Sequence, residues 1–63
     1  MTLLQARAAA DAINQYYRNV TAMERIDLNG KVYVSVKNDK NRKVTVFYTP
    51  QELSERFKTL YFG

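Results

Sequence analysis

The chain has no cysteine, no histidine and no tryptophan, and its 63 residues include only two glycines and one proline. Without cysteine it can form neither a disulfide framework nor a thiolate metal site, so its stability must come from packing or from a partner chain. Its longest apolar runs are about three residues, too short for a signal peptide or a transmembrane helix. We therefore expect a cytoplasmic protein with no membrane association.

The usual groups of enzyme catalysis are also scarce. Histidine, the most frequent general acid or base, is missing, and neither Ser35 nor Ser54 lies in a sequence typical of a nucleophile. Glu24 and Asp27 are close in sequence, but hairpin closure explains Asp27 and solvent exposure explains Glu24. The glycines are too few for a phosphate-binding loop. The sequence thus predicts a protein that is not an enzyme, with no catalytic, cofactor-binding or metal-binding residues and no small-molecule substrate.

The chain does contain enough apolar surface to fold. Hydrophobic residues make up 46% of it, and five tyrosines and three phenylalanines supply the aromatic rings. A domain of this length buries only about 60% of the surface that its unfolded chain exposes. We predict one small globular domain over residues 1–63, with no room for a substrate cleft.

The positive charge is concentrated in one segment. The formal net charge is +4, and between Lys31 and Lys43 five cations stand against one anion, so this segment carries the whole excess. Such a segment is compatible with nucleic-acid binding, but a net excess of four is modest, so we favour the interpretation that its lysines protect exposed strand edges from aggregation.

A long amphipathic helix is predicted first. Thr2 and Gln5 have the spacing of a capping box, which begins a helix at Leu3. Apolar residues then recur in steps of three and four up to Val20, which predicts a helix over Leu3–Val20. The centre of this helix is rich in alanine, which we interpret as helix propensity combined with close packing on a sheet.

Two strands with a period of two follow at residues 31–37 and 43–48. The alternating positions are Val32, Val34 and Val36 in the first strand and Val44, Val46 and Tyr48 in the second. Residues 38–42 are polar and predict a turn, and a loop of odd length places these valines on one face, with Val36 opposite Val44. Tyr33 and Phe47 would then form an aromatic pair on the other face.

A short first strand is predicted before these two. Asp27 and Lys31 flank a loop that ends in Gly30, which is typical of a hairpin with a left-handed residue at its end. This hairpin predicts a strand at about Glu24–Asp27, with Ile26 opposite Val32.

A second helix ends the predicted order. Thr49 and Glu52 have the spacing of a second capping box, with Pro50 at the first helical position. Its apolar face is predicted to consist of Leu53, Phe57, Leu60 and Tyr61, with Gly63 at its cap. The fold class is therefore α+β, with a helix, a two- to three-stranded antiparallel sheet and a helix, and with both helices on the valine face.

The opposite sheet face is left uncovered and is the candidate site. The residues predicted to bind a partner there are Tyr33, Phe47, Lys31, Lys37, Arg42 and Lys43, with Arg25 as a weaker candidate. Aromatic side chains with lysine at the rim are typical of protein interfaces, which favours a protein partner or a homo-oligomer. The alternative is a nucleic-acid-binding domain, in which the rings stack on bases and the cations contact phosphates.

The order of elements resembles that of the double-stranded RNA-binding domain, which has a helix, three strands and a helix in a basic chain of about this length. In that family the second helix begins with lysines that contact phosphates. Here the corresponding turn, residues 50–55, carries two acids and no cation. The resemblance therefore implies the topology but not phosphate binding by this helix.

The sequence also resembles the W protein family, the small head-to-tail joining proteins of lambda-like phages. The resemblance is carried by the Ala/Arg-rich residues 5–10, by the basic hairpin of alternating valines over residues 34–44, and by the helix cap at Thr49. Residues 21–30 are an insertion relative to that pattern. The resemblance implies a phage structural connector, in which the basic hairpin contacts neighbouring subunits of a ring.

Overall fold

The structure, a computed structural model, describes residues 1–57. Its elements are α1 (Leu3–Tyr16), β1 (Val20–Ile26), β2 (Val32–Asn38), β3 (Val44–Phe47) and α2 (Pro50–Arg56). The strands form one antiparallel sheet in the order β1-β2-β3. The predicted α+β class and order of elements are confirmed. The predictions for Leu60, Tyr61 and Gly63 lie outside the described residues.

Helix α1 begins where the capping box predicts. The Thr2 hydroxyl accepts a hydrogen bond from the Gln5 N–H at 3.1 Å, and the Gln5 side chain accepts one from the Thr2 N–H at 2.9 Å. The predicted end at Val20 is wrong, because Tyr17 is extended and Asn19 has a left-handed φ of 67°. The chain turns there, and Val20 is the first residue of β1.

The hairpin between β1 and β2 has the predicted turn. The Asp27 N–H donates to the Lys31 carbonyl at 2.9 Å, Gly30 has a φ of 80°, and Ile26 lies opposite Val32. The Asp27 carboxylate accepts from the backbone N–H groups of Asn29 and Lys31 at 2.8 and 2.9 Å, which closes the turn. Strand β1 is longer than the predicted Glu24–Asp27, because it starts at Val20.

The hairpin between β2 and β3 has a different register from the predicted one. Its loop consists of residues 39–42, since the Asn38 N–H donates to the Lys43 carbonyl at 2.8 Å and the Arg42 N–H donates to the Asn38 carbonyl at 2.7 Å. Arg42 takes the left-handed conformation, with a φ of 59°. Val36 consequently lies opposite Thr45, not Val44. A shift of one residue moves every β3 side chain to the other face of the sheet.

The core therefore contains Phe47 in place of the predicted Val44 and Val46. Phe47 is 7% exposed, whereas Val44 is 57% exposed and Val46 is 43% exposed. The alanines of α1 pack closely on β1 and β2, so the space below β3 is filled by larger groups, with the Phe57 ring 5.8 Å from that of Phe47. The buried core residues are Ala6, Ala9, Ala10, Ile13, Ala22, Val34, Val36, Phe47, Leu53 and Phe57.

Candidate functional site

The sheet has one face that carries the described helices and one that does not. Strand pairing and the alternation of side chains fix which residues share the second face. We call this set the open face: Thr21, Met23 and Arg25 from β1, Tyr33, Ser35 and Lys37 from β2, and Val44, Val46 and Tyr48 from β3 and its end. Both α1 and α2 contribute their buried side chains to the opposite side.

The centre of the open face is apolar. Met23 lies opposite Ser35, which lies opposite Val46, so one cross-strand row runs from β1 to β3 over a small hydroxyl residue. Met23 is 47% exposed, close to the value for Val46, and Val44 adds a second exposed valine in β3. Single exposed apolar residues are ordinary on protein surfaces, but a contiguous group marks an interaction site.

Two tyrosines form a ring pair at one end of the open face. The ring centroids of Tyr33 and Tyr48 are 5.1 Å apart with an interplanar angle of 37°. The predicted partner of Tyr33 was Phe47, and the one-residue shift of β3 replaces it with Tyr48. The Tyr48 hydroxyl donates to the Asp27 carboxylate at 3.4 Å.

The environment of Tyr48 changes its titration. Partial desolvation of the ring, followed by the charge of Asp27 and its hydrogen bond and by the neighbouring Tyr33, raises the pKa of Tyr48 above its ordinary value. The phenol therefore keeps its proton, and with it the hydrogen bond to Asp27, to a higher pH than a free tyrosine does.

Two cations complete the open face. Arg25 lies opposite Tyr33, and its guanidinium is 3.4 Å from the Met23 sulfur. Lys37 lies at the other end of the open face, in the cross-strand row between Thr21 and Val44. The open face itself includes no carboxylate, but one borders each end. Asp39 accepts from the Thr21 hydroxyl at 3.1 Å, and Asp27 accepts from the Tyr48 hydroxyl at 3.4 Å. The surface thus combines an apolar centre with positive charge.

The structure does not bring the sequence-predicted site residues together. Tyr33 and Lys37 lie on the open face, but Phe47 is in the core, so its predicted placement is wrong. Lys43 borders the helix side, where it lines a cleft with Phe57.

Lys31 and Arg42 are exposed residues in the turns at opposite ends of β2. A strand of this length separates its two ends by about 20 Å. The basic segment is therefore not one patch, and the partner-binding role of these two residues stays a prediction.

Sequence reasoning assigned three open-face residues to the buried side and gave a fourth no role. Val44, Val46 and Tyr48 were expected on the valine face, and Met23 had no assigned role. Strand β3 is apolar on both faces, so alternation alone does not orient it. Phe47 could have indicated which face of β3 is buried, because the largest apolar side chain of a short strand has the most area to bury.

The described residues form only shallow concave sites. A cleft of about 170 Å³ below the second hairpin is bordered by Lys43, Thr45 and Phe57. Three wider depressions of about 360 to 400 Å³ lie elsewhere on the surface and are largely open to solvent. Residues 1–57 contain no cluster of three His, Cys, Asp or Glu side chains that could hold a metal ion.

Neither described helix is long and apolar enough to cross a membrane.

The family resemblances stay predictions. Comparisons with protein-family models, with curated proteins and with solved structures find no match for this chain.

Proposed function

We propose that this protein is a small non-enzymatic binding module that docks on a protein partner through the open face. The observation that carries the proposal is the exposure of Met23, Val46 and Val44 together on a sheet face that the described helices leave uncovered. Removing apolar surface from water contributes about 25 cal/mol for each Å², and part of this gain offsets the translational and side-chain entropy lost on association.

The residue types of the open face support a protein partner. Methionine and aromatic residues are enriched at interface centres, and arginine is the cation that interfaces favour. Met23 and the pair of Tyr33 and Tyr48 supply the first group, and Arg25 beside them supplies the second. Because the open face is cationic, a partner with carboxylates around an apolar centre fits it best.

Binding of single-stranded nucleic acid is the second candidate, favoured by the two tyrosines beside Arg25. Stacking on a base needs a ring that is free on one side. Here the Tyr33 and Tyr48 rings pack against each other, and Tyr33 is only partly exposed. The loop cations also lie at opposite ends of β2, so they do not line a single track for phosphates.

A photo-crosslinking residue placed at defined positions tests the proposal. With the probe at Ser35, in the middle of the open face, we expect a discrete protein adduct in the cells that make the protein. With the probe at Gln15, an exposed position on α1, we expect none. Adding Met23→Ala should weaken the Ser35 adduct, whereas Leu4→Ala, at an exposed leucine of α1, should leave it unchanged.

The nucleic-acid alternative is tested by adding a mixed-length single-stranded oligonucleotide and following molar mass by light scattering at low and high salt. If the mass increases only at low salt, and Lys37→Ala and Arg25→Ala remove the increase, the partner is nucleic acid, because released counterions make such binding salt-dependent. Equal adducts at Ser35 and Gln15 would rule out the open face as the docking surface.

A further inference from the structure

We infer that strand β3 pairs edge to edge with β3 of a second copy, so that two sheets join into one continuous antiparallel sheet. The inference goes beyond the proposed function, because it rests on backbone groups at the sheet edge and not on open-face docking. It follows from a difference between the two edge strands of the sheet, β1 and β3, in whether their outward backbone groups have hydrogen-bond partners.

The β1 edge is closed by a side chain. The Asn14 side chain accepts from the Ala22 N–H at 2.7 Å and donates to the Ala22 carbonyl at 2.8 Å. It therefore occupies the position that a further strand would take. The next residues along this edge, Glu24 and Arg25, are charged, and charges on an edge strand oppose pairing with another chain.

Within residues 1–57, the β3 edge has neither protection. Antiparallel strands alternate between residues whose backbone groups bond the neighbour and residues whose groups point away. The bond from the Asn38 N–H to the Lys43 carbonyl sets this alternation, so the N–H and carbonyl groups of Val44 and Val46 point outward. No group among residues 1–57 hydrogen-bonds to them across that edge.

The side chains along this edge favour pairing. Residues 44–48 contain no charge, no glycine and no proline, and all five are β-branched or aromatic, the composition that pairs most readily in a sheet. The backbone groups and side chains that an added strand needs are therefore in place at the β3 edge, unlike the β1 edge.

A second copy fits the β3 edge in a symmetric register. With the two-fold axis at Val46, each Val46 faces its own copy and Val44 faces Tyr48, so the outward-pointing groups of both chains pair with each other. The open-face side chains of these residues form an apolar row across the axis. Lys43 falls opposite Thr49, so no like charges face each other within the pairing.

Light scattering and sedimentation over a wide concentration range provide the test. We expect the wild type to dimerise with rising concentration. Val46→Lys should raise the dissociation constant by at least about 100-fold, because it places two like charges opposite each other at the axis. Met23→Lys makes the same change on the open face of β1, away from the β3 edge, and should leave dimerisation unchanged.

Mixing variants tests the register itself. Val46→Lys and Val46→Glu should each be monomeric alone and should form a heterodimer when mixed, which native mass spectrometry resolves by mass. Val46→Pro removes only an outward N–H, so it should prevent dimerisation while thermal unfolding shows a folded monomer. This second variant keeps the test decisive if Val46→Lys fails to fold.

The inference would be overturned if the wild type stayed monomeric up to about millimolar concentration. At that concentration even a dimer with a binding free energy of about 4 kcal/mol is about half formed. Equal weakening by Met23→Lys would also overturn the inference, because it would indicate face-to-face association. Failure of edge pairing leaves the proposed function intact, because the cross-link from Ser35 reports on the open face of either state.

Discussion

The amide side chain of Asn14 in α1 binds both backbone groups of Ala22 in β1, with an N–H to Oδ1 distance of 2.7 Å and an Nδ2 to carbonyl distance of 2.8 Å. It holds the helix to the sheet by polar contacts where the alanines provide little apolar area. Ala22 is buried. Without the Asn14 side chain, its N–H and carbonyl groups would lose these hydrogen bonds and would be poorly solvated.

Asn14→Ala should therefore destabilise the fold by about 1 to 2 kcal/mol. Urea unfolding followed by circular dichroism measures the change. Gln15→Ala, at the adjacent exposed position, is the matched control and should change stability by less than about 0.5 kcal/mol. Equal effects of the two substitutions would mean that Asn14 contributes only helix propensity.

The register of β3 predicts opposite sensitivities for neighbouring residues. Phe47→Ala should cost about 3 to 5 kcal/mol, because it removes a buried ring next to Phe57. Val46→Ala should cost about 1 kcal/mol or less for the monomer, since this side chain is on the open face. Denaturation at a concentration below dimerisation gives both values, and a larger loss at Val46 would restore the register expected from sequence.

Local signals in the sequence were sufficient for most of the fold. The capping box at Thr2 and Gln5, the turn at Asp27 to Gly30 and the cap at Thr49 are each decided by residues within one turn of chain. The structure forms the first box completely and closes the turn, and at Thr49 the hydroxyl accepts from the Glu52 N–H, which is one of the two bonds of a capping box. Such short-range patterns need no knowledge of what packs on them.

The residues of the open face could not be predicted from such local patterns. Its composition depends on whether the second loop has four or five residues, and the deciding feature is a left-handed Arg42, a conformation that glycine or asparagine usually signals. Strand β3 offers apolar residues to either face, so its orientation also depends on the core into which Phe47 packs, where its ring lies beside that of Phe57. That is a property of packing between distant segments.

The conformation of Arg42 predicts a stabilising substitution. A left-handed φ of 59° costs a residue with a Cβ about 1 kcal/mol or more, and glycine avoids this strain. Arg42→Gly should therefore raise the free energy of unfolding by on the order of 1 kcal/mol.

Lys40→Gly is the matched control, because it removes a cation from the same loop at a residue without a positive φ. Lys40→Gly should lower the free energy of unfolding by roughly a few tenths of a kcal/mol, because glycine increases the conformational entropy of the unfolded chain. Thermal unfolding of both variants separates strain relief from the loss of charge repulsion, which the two substitutions share.

The raised pKa of Tyr48 predicts a specific loss of stability at alkaline pH. A folded-state pKa above the ordinary tyrosine value of about 10 means that the native state holds its proton more tightly than the unfolded chain. This contribution is complete below about pH 10 and is lost as the pH rises through the folded pKa. Tyr48→Phe removes the titrating group, so its stability should decline less steeply above about pH 10.

Asp27→Asn separates the causes of that shift. Asparagine keeps an oxygen that accepts from Asn29 and Lys31 but offers no carboxylate to the Tyr48 hydroxyl. The pKa of Tyr48, followed by NMR of its labelled ring carbon, should fall toward the ordinary value without reaching it, because desolvation is the larger cause and remains. An unchanged pKa would show that the contact at 3.4 Å carries no energy in solution, and a complete return to the ordinary value would show that desolvation does not contribute to the shift.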